Sequence, residues 1–415
     1  MNIRFPSVLP IIKNHLERVI KIKWDKILKN PAKKEKSCTW NFGYVMQMLF
    51  YGLLTGCRNL RELETFTESY GERIPDTTLH DIIIKVDPEN LLDFIARDVK
   101  DAKHNHELDK KEFPMNVAAI DGKKLSDSKS NVGDFSQKIE QNGKIYYNNR
   151  VLRALHVSNS TKLFLGQREI LGKSSETSEF IPFLKSLNEQ YKNTNLIEVI
   201  SVDAGMTSQE NANFVHSLGL HYVMALKGPQ QTLLSNAEYL FKVIPEPIRT
   251  EEETQNGKKT MRKLSRSVVL TQYKHGWDHL QEFWKIEQIT IELKSGKEEH
   301  ETRYFLSSIP YSKLNDKQVM QLIRMHWGIE NNGNWITDVC WDEDEAPFAN
   351  KALRLISLMR LIAYNFISRL LNRRLRSEKT RQLSWNSIMD LIAEALKRIK
   401  NYETLKEYMY PPLIR

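Results

Sequence analysis

The spacing of apolar residues divides the chain into helix-rich ends and a strand-rich middle. Near the start, apolar side chains recur every three to four residues, with lysines and glutamates between them. This periodicity predicts amphipathic helices at 9–28, 42–54, 60–69, 77–86 and from Asp87-Pro88 to about residue 103. We therefore expect residues 1–110 to form a helical N-terminal region.

Beyond Met115 the periodicity changes to short, continuous apolar runs. Such runs are typical of strands buried on both faces. We predict strands at 116–120, 151–157, 162–170, 196–202 and 221–226, and helices at 177–191 and 208–218. The polar stretch 126–149 is expected to be a mobile loop.

The resulting order is three strands, a helix, a strand, a helix and a strand. It resembles the ribonuclease H-like fold, an α/β fold with a mixed sheet flanked by helices. The core would begin with residues 111–228 and resume at 301–348. Between them, 229–300 is Glu/Lys-rich with strand-like runs and predicts a β-rich insertion. Its last run could rejoin the main sheet.

The end of the chain is predicted to be helical and basic. Residues 349–372 and 384–399 have helical periodicity within a C-terminal region of 349–415. Arg369, Arg373 and Arg376 lie on roughly the opposite side of the first helix from its apolar face. A DNA-backbone role and an ordinary solvated face remain equally open for these arginines.

The net charge of +9 is unevenly distributed. Residues 1–36 sum to +7 and residues 351–400 to +9, whereas residues 37–350 sum to −7. Strongly basic ends favour a polyanionic partner. No apolar run is long enough for a membrane helix, and no signal-peptide segment is evident. Because the three cysteines match no zinc spacing, we expect reduced thiols in a cytoplasmic protein.

Three carboxylates are the candidate chemistry. Asp121 and Asp203 each follow an apolar run, and a later predicted helix, 316–327, carries the stretch 324–330 that ends in Glu330. Residues 331–333, Asn-Asn-Gly, are expected to weaken or end this helix. In open α/β sheets, residues that follow neighbouring strands lie at the same edge of the sheet. Carboxylate oxygens are ligands that Mg²⁺ prefers, so such a group could bind a pair of Mg²⁺ ions. A plain Asp-Gly turn is the alternative for Asp121. The acidic run Asp338, Asp342, Glu343 and Asp344 competes for the role of third ligand. Asp338 would lie two helical turns beyond Glu330 if the helix continues past Gly333.

Five blocks of sequence make a family resemblance specific. They are AIDGKKL (119–125), LGQREILGKSSE (165–176), SVDAGMTSQENA (201–212), YVMALKGPQ (222–230) and RMHWGIENNGNWITDVCWDED (324–344). In order and spacing they resemble DDE transposases of bacterial insertion sequences, of the ISAs-type, H-repeat-associated family. The likeness extends from about residue 40 to 365.

The resemblance implies a function and a set of roles. It implies metal-dependent cleavage of DNA at insertion-sequence ends, followed by strand transfer into target DNA. Asp121, Asp203 and Glu330 would hold two Mg²⁺ ions, for which Mn²⁺ can substitute. Residues at family-motif positions would contact double-stranded DNA, or else be ordinary surface charge. They are Lys123, Lys173, Lys227 and Arg324. His326 would position DNA or else pack under the site.

Further expectations follow from the pairing of two insertion-sequence ends. We expect a homodimer in the DNA complex, a nucleoid-associated location in the bacterial cytoplasm, and DNA-end binding by the N-terminal region. Gly333-Asn334-Trp335 departs from the family pattern, as do Lys124 and Ser126, although no metal ligand is lost. A nuclease that cuts without joining and a catalytically silent DNA-binding descendant remain alternatives.

Overall fold

One mixed sheet of ten strands runs through the middle of the molecule. This computed structural model describes residues 9–30, 40–128, 135–243, 246–345, 348, 350–374 and 383–399. The strands are β1 (Val117–Ser128), β2 (Ser136–Gln141), β3 (Lys144–His156), β4 (Leu163–Glu169), β5 (Val199–Val202), β6 (His221–Leu226), β7 (Arg249–Gln255), β8 (Lys258–Val268), β9 (Glu282–Glu292) and β10 (Glu298–Ser307).

The central strands have ribonuclease H-like topology. β1, β5 and β6 are parallel neighbours, and their short apolar segments are fully buried. β3 lies antiparallel on the other side of β1, and β2 and β4 share its far edge. The order β4-β3-β1-β5-β6, with only β3 antiparallel to β1, confirms the fold predicted from the order of elements.

The segment 229–300 extends this same sheet. β10 pairs antiparallel with β6, and β9, β8 and β7 follow outward in turn. Two of the three expected strand-like runs, 284–293 and 302–309, correspond to β9 and β10, and the last one does rejoin the main sheet. The run expected at 267–273 was largely wrong, because β8 ends at Val268 and residues 271–273 form a 3-10 turn, and β7 was not predicted. The segment also contains a helix that the sequence analysis missed, Gln231–Val243, whose buried residues are only Leu233, Ala237 and Phe241.

The remaining helices enclose the sheet. Among the described residues there are thirteen helices, and none is both long and apolar enough to span a membrane. They are α1 (Leu9–Ile20), α2 (Trp24–Ile27), α3 (Phe42–Leu54), α4 (Leu60–Tyr70), α5 (Asp76–Ile83), α6 (Asn90–His104), α7 (Glu176–Tyr191), α8 (Gln209–Ser217), α9 (Gln231–Val243), α10 (Asp316–His326), α11 (Trp335–Trp341), α12 (Asn350–Arg369) and α13 (Trp385–Arg398).

Two predictions of local structure were wrong. The single helix expected at 9–28 is broken at Lys23, which lets Trp24 turn inward and donate a hydrogen bond to Gln47 (2.8 Å). The loop expected at 126–149 is largely β-structure, because β2 and β3 form a hairpin there. Its turn is Asn142-Gly143, both in the left-handed region, a pair typical of two-residue hairpin turns.

Helix α12 anchors the helical regions to the sheet. Asn365 accepts a hydrogen bond from the Phe164 amide (2.7 Å) and donates one to its carbonyl (2.9 Å), so it satisfies the outer edge of β4. On the N-terminal side, the buried indole of Trp341 donates to the Leu53 carbonyl in α3 (2.8 Å). The helical regions therefore share one apolar core with the sheet.

A fully buried ion pair holds β3 against the last helices. The Arg153 guanidinium donates to both carboxylate oxygens of Glu343, at 2.7 and 2.8 Å, and both side chains are 0% exposed. It also donates to Gln167 in β4 and to Ser357 in α12, each at 3.0 Å. Burial alone would raise the pKa of Glu343, but the Arg153 charge lowers it to about 2.

We expect Glu343→Gln to destabilise the protein by about 3–5 kcal/mol, because it leaves the buried Arg153 charge uncompensated. Chemical denaturation measures this. The matched control is Glu345→Gln, an exposed residue two positions along the chain, whose effect should stay within about 0.5 kcal/mol. Equal stabilities for the two variants would contradict the structural role of the pair.

Candidate active site

The strands bring Asp121 and Asp203 to one edge of the sheet. The parallel register of β1 and β5 ends at Ile120 and Val202, so the two aspartates occupy the next position on neighbouring strands. Asp121 was expected to end its strand, but β1 continues to Ser128 by pairing with β3. Only its parallel pairing stops there, which leaves the Asp121 side chain at the opening between strands.

Asp203 is fixed by its own turn. Its backbone is extended, and its Oδ1 accepts a hydrogen bond from the Gly205 amide (2.9 Å) at the start of a short 3-10 turn, Ala204–Met206. The nearby Thr207 hydroxyl donates to the carbonyls of Asp203 (3.0 Å) and Ala225 (2.7 Å), which ties this turn to β6. The Asp203 carboxylate is thus held at the C-terminal end of β5.

Glu330 comes from a helical segment with an irregular turn. Helix α10 begins with an Asn315–Gln318 capping box and ends at His326, and residues 330–334 then form a single π-helical turn before α11. Such turns are rare and occur frequently at functional sites. The helix was expected to weaken or end at residues 331–333; instead it continues with a wider winding.

Gly333 explains how this wide turn packs. A Cβ at Gly333 would lie 3.1 Å from Phe164 Cζ and 3.2 Å from Leu155 Cδ2. These distances are tighter than ordinary van der Waals contact, so the absent side chain lets the turn lie directly on β3 and β4. Glu330, at the start of the turn, is exposed at the surface.

Asn334 connects this turn to the first aspartate. Its amide donates to Asp121 Oδ2 (3.2 Å), and its carbonyl oxygen accepts from Arg153 Nη1 (3.5 Å). Arg153 is also the residue directly opposite Asp121 in the β1–β3 register. The buried ion pair therefore positions Asp121 through Asn334 as well as through the backbone.

Burial and neighbouring negative charge act together on Asp121. The pKa of Asp121 is raised to about 7. Burial is the largest cause, and the negative charges of Glu330, Asp203 and Glu176 add to it. Glu176, the first residue of α7, was not predicted as a site residue; burial and the charge of Asp203 raise its pKa as well. Four carboxylates from four elements thus face one region.

The chemistry of this donor set fits Mg²⁺ or Mn²⁺. Carboxylate oxygens are the ligands that these hard cations prefer, and a divalent cation would remove the repulsion that raises the pKa of Asp121. Among the described residues, no three His, Cys, Asp or Glu side chains already lie close enough to hold an ion. The carboxylates would therefore have to draw together on binding.

A known protein family matches the part of the chain that forms the sheet. Residues 112–366, more than half of the chain, match the family described as Transposase DDE domain. The chain belongs to this DDE transposase family. The matched range contains Asp121, Asp203 and Glu330 and spans all ten strands.

Relatives of this transposase include proteins of Escherichia coli. The H repeat-associated protein YhhI of strain K12 is 25% identical over 346 residues, covering 78% of this chain and 84% of the relative. YbfL of the same strain is 24% identical with the same coverage. A solved structure of piggyBac transposase in a synaptic complex with hairpin DNA aligns over 98% of this chain and 86% of that chain, at 12% identity and a TM-score of 0.45.

Asp338, the rival third ligand of the transposase, has another partner. Both of its carboxylate oxygens accept hydrogen bonds from Lys123 Nζ. The Lys123 side chain is only 8% exposed, so the expectation that it contacts DNA phosphates is corrected. Lys123 therefore neutralises Asp338, whereas Glu330 has no basic partner among the described residues.

Two further basic residues expected to contact DNA are buried. His326 lies beneath the site, where burial lowers its pKa to about 4. Its Nδ1 has no hydrogen-bond partner in the described part of the chain. Arg369 is 4% exposed and bonds to Asp98, Asp101 and Glu107. Neither side chain can reach a DNA backbone in this structure.

The other basic residues differ in accessibility. Lys173 and Lys227 are exposed, on the segments before α7 and after β6. Arg324 is 45% exposed and pairs with Glu253 in β7 (2.8 Å). The Arg373 side chain and all of Arg376 lie outside the described residues. Lys173 and Lys227 are therefore the expected contacts that the structure leaves most available.

We expect Asp121→Asn to stabilise the metal-free transposase above neutral pH. A carboxyl whose pKa rises from about 4 to about 7 on folding favours the folded state at low pH, and that stability is lost as pH rises through 7. Asparagine does not ionise, so the variant does not lose this stability. At pH 8 its free energy of unfolding should exceed that of the wild-type protein by at most about 4 kcal/mol.

The measurement is thermal or chemical unfolding in EDTA at pH 4.5 and pH 8. The advantage of Asp121→Asn should be small at the lower pH. Asp278→Asn, at an exposed position, serves as the control and should show little change at either pH. An advantage for Asp121→Asn that grows towards low pH would refute the charge-repulsion account.

Proposed function

We propose that this transposase cuts DNA at the ends of an insertion sequence and joins the freed ends to target DNA. Cleavage would use water as the nucleophile and leave a 3′-hydroxyl. That hydroxyl would then attack a phosphodiester of the target strand and displace its 3′-oxygen. The reaction would take place on chromosomal DNA in the bacterial cytoplasm.

One observation carries the proposal. Asp121 and Asp203 follow the paired ends of two parallel strands, and Glu330 comes from a later helical turn, yet burial together with the charges of Glu330 and Asp203 raises the pKa of Asp121. The Transposase DDE domain family covers this whole region. A concentration of unneutralised carboxylates disfavours folding and is therefore best explained by a cationic ligand.

The three carboxylates would hold two Mg²⁺ ions, with Mn²⁺ able to substitute. Two such ions, when bound, activate the attacking oxygen and stabilise the leaving oxygen of a phosphodiester. The protein keeps the ligands in place. Asn334 orients Asp121, the Gly205 amide orients Asp203, and the π-turn presents Glu330.

DNA would approach this edge over exposed lysines. β5 and β6 are parallel, so Lys227 follows β6 on the same side of the sheet where Asp203 follows β5. Lys173 lies just before α7, whose first residue is Glu176. Both lysines can therefore contact phosphates beside the carboxylates. Because two ends must be joined together, we propose a homodimer in the DNA complex.

The decisive experiment measures Mg²⁺-dependent nicking and joining of a duplex that carries the inverted repeats flanking the gene. Glu330→Gln, Asp121→Asn and Asp203→Asn should each lower both activities at least about a thousandfold, because each removes part of one metal cage. Binding to the duplex should survive. Glu345→Gln, which makes the same change at an exposed position, should cut normally.

The outcomes separate the alternatives. Cleavage without joining would identify a nuclease on the same fold. Duplex binding without any metal-dependent cleavage would identify a silent descendant. If Glu330→Gln cuts normally while Asp338→Asn is inactive, the third ligand has been assigned to the wrong residue.

We expect the double substitution Lys173→Ala/Lys227→Ala to weaken DNA binding and its dependence on salt. Each lost phosphate contact should reduce the slope of log affinity against log salt by about 0.9, so the slope should flatten by up to about two units. Fluorescence anisotropy over a range of salt concentrations measures it. Lys192→Ala, at the far end of α7 from Glu176, is the matched control. An unchanged slope in the double variant would show that these lysines are only solvated surface.

A further inference from the structure

We infer that Glu176 is a fourth carboxylate ligand of the metal site, in addition to Asp121, Asp203 and Glu330. The inference rests on the proposed function, since it adds a residue to the same site. Glu176 is the last residue of the block 165–176, but the sequence pattern gives it no role as a ligand. The structure assigns it through its position, its glycine neighbours and its lack of a protein partner.

The start of α7 is fixed against the turn that carries Asp203. Ser175 and Ser178 form a capping box, which defines Glu176 as the first helical residue. The Thr177 hydroxyl donates to the Gly205 carbonyl (2.8 Å). These contacts hold Glu176 beside the two aspartate-bearing strands, independently of any contact made by its own carboxylate.

Two glycines leave the space that this carboxylate occupies. A Cβ at Gly122 would collide with the Glu176 carboxylate, lying 2.5 Å from its Cδ. A Cβ at Gly205 would lie 3.5 Å from Glu176 Oε2 and 3.3 Å from Asp203 Oδ1. Because both oxygens lie close to this one point, Glu176 Oε2 and Asp203 Oδ1 are near neighbours.

Backbone conformation does not explain these glycines. Neither Gly122 nor Gly205 is among the described glycines with positive φ, so other residues could adopt either backbone. Gly122 immediately follows Asp121, and Gly205 lies two residues after Asp203. Each glycine therefore makes room for Glu176 beside one of the proposed aspartate ligands.

The Glu176 carboxylate also lacks a protein partner. It is half-buried, and within the described part of the chain its carboxylate makes no hydrogen bond or ion pair. Burial and the charge of Asp203 raise the pKa of Glu176, whereas Arg150 lowers it without forming an ion pair with it. A half-buried carboxylate beside another carboxylate is stabilised by a counter-charge, and a divalent cation held with Asp203 would supply it.

The experiment measures Mn²⁺ binding to the full chain by electron paramagnetic resonance, with no DNA present. Glu176→Gln should weaken Mn²⁺ affinity at least about tenfold, as should Asp203→Asn. Glu189→Gln, an exposed position on the same helix, should bind like the wild-type protein. Wild-type affinity in Glu176→Gln, with weakened binding in Asp203→Asn, would overturn the inference and leave the proposed function intact.

The proposed function fails in a different way. If neither Asp121→Asn nor Asp203→Asn weakens Mn²⁺ binding, the site does not hold metal, and the assignment of Glu176 falls with it. The two failures are distinguished by the aspartate variants alone.

Thermal unfolding separates a ligand from a helix-capping residue. If Glu176 is a ligand, the Glu176→Gln variant should melt no lower than wild type in EDTA, because it loses a charge that faces Asp203. Its stabilisation by Mn²⁺ should be smaller than that of wild type. If Glu176 only stabilises the N-terminus of α7 through the helix dipole, the variant should melt lower than wild type in EDTA. It should then keep the full increase in melting temperature on adding Mn²⁺. A variant too unstable to purify would likewise argue against the inference.

A second pair of variants tests the glycine. Gly122→Ala should weaken Mn²⁺ affinity because the added methyl displaces the Glu176 carboxylate. In a Glu176→Ala background the collision is gone, so Gly122→Ala should weaken affinity no further. Full additivity of the two substitutions would contradict the proposed contact.

Discussion

The buried pair of Arg153 and Glu343 is the interaction on which the arrangement of the site depends. It joins β3 to the segment after α11, and through Ser357 it reaches α12. A charge pair without exposure is stable only when both partners are present and correctly placed. Since Arg153 lies directly opposite Asp121, helix docking and the geometry of the first aspartate are established together.

The carboxylate edge imposes the opposite constraint. Here several negative charges lie close together. The Gly205 amide donates a hydrogen bond to Asp203 and Asn334 donates one to Asp121, but among the described residues few other groups stabilise these charges. The protein tolerates this because the surrounding core is extensive and apolar. A site that is unfavourable when empty binds cations more readily than one already satisfied by lysines, as Asp338 is by Lys123.

The sequence predicts what depends on burial patterns and misses what depends on distant partners. Apolar runs located β1, β5 and β6 because strands buried on both faces contain little else. The β2–β3 hairpin is polar, so its Asn142-Gly143 turn was the only available signal. Arg369 was expected on a polar face, but its acidic partners lie more than 260 positions away along the chain. Glu176 reaches the site only through the docking of α7, which no local pattern records.

The continuity of the sheet has a consequence for incomplete chains. β6 is hydrogen-bonded to β5 on one side and to β10 on the other, and β10 returns only after the excursion through β7, β8 and β9. A chain that stopped within residues 229–300 would retain Asp121 and Asp203 but leave β6 as an apolar, unpaired edge. Such edges pair readily with other chains. Truncated copies of this protein are therefore expected to aggregate rather than to persist as soluble fragments that compete for DNA.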